Sequence, residues 1–215
     1  MNMEELDLLK KDWQKSGDSF EQISEAEIYK MLHAKSSSIV KWILIVSILE
    51  FLFWSVITVL LNDDKYQNQL HKYGIEDFMF VVNSINYLII IVFIYVFYKN
   101  YRNISTTDST HQLMKNILKT RRTVRNYIWY NLAMITLSII ISIVMLFSHN
   151  AELISLMENA ISKGHKMLFI IISVSVSAVF IMIIIGLFWL FYKLLYGILL
   201  KKLYVNYTEL KKIDL

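Results

Sequence analysis

The fold class this chain predicts is an all-α integral membrane four-helix bundle. Its helices extend into the cytoplasm, and an amphipathic helix lies at the N-terminus. Three observations carry that reading. Four largely apolar runs, Ile39 to Leu61, Phe78 to Tyr98, Tyr127 to Phe147 and Met167 to Tyr192, each hold 20 or more residues. At about 1.5 Å per residue, that is enough to cross a hydrocarbon core of about 30 Å. The 22 lysines and arginines fall in batches of 6, 2, 7, 2 and 5 before, between and after the runs, with Lys41 in the first batch. Positive charge is retained on the cytoplasmic side, so both termini are expected inside. Finally, proline is absent from all 215 residues, where average usage of about 5% would place roughly ten. Helices can therefore leave the spans and continue into water without a break.

In chain order, Met3, Leu6, Leu9 and Trp13 recur at helical spacing among Glu4, Asp7, Lys11 and Lys15, which predicts a short amphipathic helix ended by Gly17-Asp18-Ser19. A second start follows. Ser24 and Glu27 form a capping box, and Ile23 and Ile28 occupy the positions of a hydrophobic staple. The first 38 residues mix eight acids with five lysines and do not resemble a cleaved leader, so the first run is expected to act as a retained signal anchor. The expected divisions are 1–38 for the cytoplasmic helices, 39–200 for the four-span domain with a stalk over 107–126, and 201–215 for a C-terminal helical extension.

Between spans two and three, Leu113, Met114, Ile117, Leu118, Val124 and Ile128 form an apolar stripe leading into span three. Span four likewise continues through Leu195, Ile198, Leu199 and Leu203. The stalks of spans one, three and four should pack together below the membrane, with the N-terminal helix on or near them. Each outer connection holds a helix pattern closed by glycine. One has Tyr66, Leu70 and Tyr73 before Gly74, and the other has Leu153, Ile154, Met157 and Ile161 before Gly164. A stalk, span, outer helix and span can thus be read twice along the chain, although the two halves share little side-chain identity.

Glu50 is the one formally charged side chain in the middle of a span, eleven residues from each end of its run. An ionised carboxylate there costs at least ~3 kcal/mol, so it should face protein or water. Ser47, Glu50, Trp54 and Thr58 share a helix face. Asn83, Asn86 and Tyr87 in span two, Asn131, Ser138 and Ser142 in span three, and Ser173 and Ser177 in span four make matching stripes. Counted inward from the outer ends, Glu50, Asn86, Ser138 and Ser177 are expected within about two turns of one depth and form the candidate intramembrane site. Two readings stand: hydrogen bonding between helices by a mostly neutral Glu50, or a proton or ligand site.

Ten aromatic residues, from Trp42 and Tyr95 through Tyr127, Trp129 and Tyr192 to Tyr196, cluster at the inner boundary as an interfacial belt. Beside it, Arg121, Arg122 and Arg125 should favour anionic lipid headgroups, at about 1 kcal/mol per charge. Pressed against a membrane, they are a poor match to nucleic acid. His71, His149 and His165 lie outside and His33 and His111 inside, with no ligand spacing among them, so neither a metal nor a cofactor is expected. Without cysteine there is no disulfide, thiolate site or cysteine nucleophile. No motif names a catalytic residue.

The stretch Glu4 to Trp13, then Ile28-Tyr29-Lys30-Met31-Leu32 and Ser36-Ser37-Ser38-Ile39-Val40-Lys41-Trp42, resembles a family of uncharacterised four-span membrane proteins of Bacteroidota, most clearly over residues 4–54. The name beta-carotene monooxygenase, sometimes given to such proteins, finds no support here. Carotenoid oxygenases depend on iron-binding or intraspan histidines, whereas all five histidines here lie at or beyond the span ends. Acidic Leu/Trp helices of similar shape also precede spans in proteins resembling membrane anti-sigma factors. The expected role is a non-enzymatic scaffold or regulator engaging a cytosolic partner, or a second copy, through Met3, Leu6, Leu9 and Trp13. The alternative is a small transporter or proton-coupled channel centred on Glu50, with a membrane enzyme third.

Overall fold

The computed structural model describes residues 24–61, 64–107 and 109–213, and all the elements are helical: α1 (Glu25–Leu61), α2 (Asp64–Tyr73), α3 (Glu76–Ser105), α4 (Thr110–His149), α5 (Ala151–Ser162), α6 (Lys166–Tyr192) and α7 (Ile198–Ile213). A π-helical turn, Lys193–Gly197, joins α6 to α7, so the last two helices form one continuous strut. Four stretches, within α1, α3, α4 and the α6–α7 strut, are long and apolar enough to cross a membrane. The segment bearing Met3, Leu6, Leu9 and Trp13 lies outside the described residues.

Local chemistry sets the helix ends where the pattern places them. Before α1, the Glu27 amide donates to Ser24 Oγ at 3.3 Å, while the Ser24 amide donates to Glu27 Oε2 at 3.0 Å. These reciprocal bonds satisfy two amides that a helix start would leave bare. Asn150 caps α5 by accepting from the Leu153 amide at 3.0 Å. Gly74 and Gly164 follow α2 and α5 with φ of 65° and 75°, a left-handed conformation in which a Cβ would crowd the carbonyl.

Most of the buried side chains recur at steps of three and four. In α1 they are Ser36, Val40, Ile43, Ser47 and Glu50; in α3, Phe97, Asn100 and Ile104; in α4, Leu113, Ile117, Thr120, Val124 and Tyr127. Tyr192, Tyr196, Leu203, Asn206 and Leu210 complete the set from the strut. These stripes meet in one core at the end of the molecule where α1 begins and α7 ends. The stalks of spans one, three and four pack as expected, and α3 adds a fourth wall, because the helix of span two runs two turns past Tyr98 to Ser105.

Polar side chains inside this bundle bind across helices. Asn206 donates to Ser36 Oγ at 3.0 Å, Asn100 to Thr123 Oγ1 at 3.3 Å, Tyr29 to Thr107 O at 3.0 Å and His33 to Ile104 O at 2.7 Å. A slip of one helix along another would leave these groups unpaired, so they hold the register.

Towards the loop end the helices splay. Their outward side chains stay bare, with Val59 75%, Phe80 73% and Met167 72% exposed, as suits surfaces meeting lipid tails rather than water. The ring of Tyr73 on α2 lies 4.4 Å from that of His149 at the end of α4, which ties the first loop-end helix to the third span.

Candidate functional site

Glu50 sits where the tight bundle opens into the splayed half. Its carboxylate receives three phenolic hydroxyls. Tyr127 from α4 donates to Oε2 at 3.1 Å, Tyr196 from the π-helical turn to Oε2 at 2.7 Å, and Tyr192 at the end of α6 to Oε1 at 2.8 Å. All four residues are buried. The π-helical turn lets both strut tyrosines, four residues apart, aim at one carboxyl group, and their rings stack 6.2 Å apart. Such wide turns recur where a helix gives up regularity to place side chains. Tyr127 is itself edged by Phe93 and Phe97, with ring centroids 5.4 and 5.5 Å away, so its hydroxyl has little freedom to turn elsewhere.

A carboxylate can accept about four hydrogen bonds, and three hydroxyl donors nearly fill it. Three donors on an acceptor-only group form a consistent set. A proton added to Glu50 must itself be donated, to a tyrosine oxygen or into the adjoining cavity, so protonation would change the hydrogen bonding of the cluster.

Above Glu50 lies a cavity of about 350 Å³ between α1, α3, α4 and α6. Trp54, Asn83, Asn86, Asn131 and Ser138 line it, and Tyr127 and Tyr192 join Glu50 in its wall. Trp54 is braced by Phe188, with ring centroids 5.7 Å apart. Thr58, Met79, Asn83 and Tyr87 also wall a second cavity of about 490 Å³, reaching Gln67 and Leu70 on α2 and Glu76 and Asp77 at the start of α3. The approach thus runs from the loop end to Glu50 between mainly apolar walls that carry a few polar side chains. Beyond Glu50 it stops against Ile43, Phe97, Val124, Tyr127 and Tyr196, none more than 1% exposed.

The structure brings together three of the four candidate residues. Asn86 lines the cavity, where its Oδ1 accepts from Tyr130 at 3.0 Å. Ser138 lies further up the same wall. Ser177 does not join them. It lines a separate groove with Ser173, Phe147 and Met157, and the fifteen residues between it and Tyr192 amount to about 22 Å of helix. Counting from the loop ends failed because the helices are not level there: Glu50 meets the terminal end of α6, not its middle. The terminal half of the first apolar run, with Ile39, Val40 and Ile43, is apolar because it fills the bundle core.

Tyr127, Tyr192 and Tyr196 were expected to belong to the interfacial belt and instead turn inward to Glu50. Their signal was present. Tyr127 continues the stripe Leu113, Ile117, Thr120, Val124, and Tyr192 and Tyr196 are one turn apart on the helix that follows the last span. Trp42, Tyr95, Trp129 and Trp189 do face outward, as a belt requires. Arg121, Arg122 and Arg125 gather around one groove beside Trp129 and Trp189.

Comparison with protein families matches residues 26–215 to Domain of unknown function (DUF8845), and the chain belongs to that family. No curated protein and no solved structure matches it.

Proposed function

We propose that this DUF8845 member is a non-enzymatic membrane regulator in which the state of Glu50, reached through the loop-end cavities, sets the packing of the helix bundle at the termini. One observation carries the reading: a single carboxylate, bound by tyrosines of two other helices, stands between a loop-end cavity and a buried core. A change in its protonation, or a ligand that competes for it, rearranges the bonds joining α1, α4 and the strut, which run directly into the bundle below. Such a two-state element is what coupling between two ends of a protein requires. The charge asymmetry of the sequence supports a cytoplasmic bundle, and the resemblance to proteins of Bacteroidota supports a bacterial inner membrane, where residues 1–20 would engage a partner or a second copy.

The transporter reading draws on the same cavities, but the packed layer beneath Glu50 counts against it. The test is amide hydrogen exchange of the full chain in lipid nanodiscs, comparing wild type with Glu50→Gln, which keeps the shape and removes the titration. The variant is expected to fold and to change protection in residues 110–126 and 198–212. Wild-type exchange at all pH values from 5 to 8, or proton or solute flux that Glu50→Gln abolishes without altering the bundle, would overturn the regulator in favour of a structural or a transport role respectively.

A further inference from the structure

The arginine cluster beside α4 is built as a discrete pocket. A groove of about 440 Å³ between α4 and the α6–α7 strut is lined by Arg121, Arg122 and Arg125 together with Trp129, Trp189 and Leu200. No carboxylate is in that lining, and among the described residues none of the three arginines has an acidic partner. Arg121 is half-buried. Its guanidinium carbon lies 4.3 Å from the centroid of the Tyr204 ring, which holds the planar fork in place, and its buried Nε–H has no acceptor. Lys193, with Nζ 4.8 Å from the Trp189 ring centroid, adds positive charge beside the groove. Three arginines without a carboxylate among them, one held over an aromatic ring, suit an anion of planar or tetrahedral oxygens.

We infer that this groove binds one acidic glycerophospholipid, its phosphate against Arg121 and Arg125 and an acyl chain along Ile128, Leu132 and Leu200. The apolar end of the groove decides between lipid and free phosphate. Ile128 and Leu132 continue from the arginines along the apolar run that begins at Tyr127, a surface for which an inorganic anion has no use. Trp129 and Trp189, 65% and 49% exposed, flank the groove at the depth where indole rings favour the headgroup boundary. The site is independent of the role given to Glu50.

Native mass spectrometry of the full chain, released from detergent with phosphatidylglycerol, phosphatidylcholine or inorganic phosphate, tests it. One phosphatidylglycerol is expected to remain bound, and Arg121→Gln/Arg125→Gln is expected to weaken it about 30-fold, from the usual contribution of two interfacial charges. Lys201→Gln/Lys202→Gln removes two exposed charges nearby but outside the groove and should change affinity less than about twofold. Should the double arginine variant not fold, Arg121→Lys keeps the charge, loses the planar fork and is expected to weaken binding severalfold. Equal retention of phosphatidylcholine, or equal losses from the arginine and lysine variants, would overturn the discrete site. Displacement of the lipid by millimolar phosphate would reassign it to a free anion.

Discussion

Glu50→Leu is expected to be the most damaging single substitution in the membrane half of this protein, costing on the order of 3–5 kcal/mol of stability. Leucine fills much of the space but accepts nothing. The hydroxyls of Tyr127, Tyr192 and Tyr196, residues no more than 2% exposed, then lose their common acceptor. A buried unpaired hydroxyl costs about 1–3 kcal/mol. The total stays below three such penalties because the crowded tyrosines can donate to one another. Tyr196→Phe removes one donor and should cost only about 1–2 kcal/mol, since Oε2 still accepts from Tyr127. Thermal unfolding of the detergent-purified variants ranks them directly. A Glu50→Leu protein as stable as wild type would show that the tyrosine cluster does not hold the helices together.

The second large effect separates the true core from the apolar surface. Leu203→Ala, at a position with no exposure in the terminal bundle, is expected to cost about 2–5 kcal/mol, the range for a buried leucine that leaves a cavity. Leu187→Ala, on α6 within the most apolar run, should cost less than about 1 kcal/mol, because Leu187 is 59% exposed and meets lipid. Hydropathy alone ranks them the other way. Equal losses, read by denaturant unfolding in the same detergent, would mean that the spans are packed as tightly as the bundle.

Several features were legible in the sequence because they depend on neighbours a few residues away. The Ser24–Glu27 capping box, the glycine stops at Gly74 and Gly164 and the Asn150 start of α5 are closed within one turn, so local chemistry decides them. The shared face of Ser47, Glu50, Trp54 and Thr58 was equally readable, since helical periodicity fixes which side chains line up. The partners of Glu50 were not. Tyr127 lies 77 residues away, and Tyr192 and Tyr196 lie 142 and 146 away. An aromatic residue near a membrane boundary can face either lipid or protein with the same local pattern, which is why Tyr127 and Trp129 read alike and point oppositely.

Helix, span number and charge asymmetry were determined by the sequence alone, because they follow from the length, periodicity and composition of contiguous segments. Depth and direction were decided only by the tertiary structure. How far one helix is displaced along another is set by packing and by buried polar pairs such as Asn206 with Ser36, and no single segment carries that offset. It moved Glu50 out of a layer with Ser177 and into the grasp of three tyrosines. It also set one face of the first apolar run, with Ile39, Val40 and Ile43, into the bundle core.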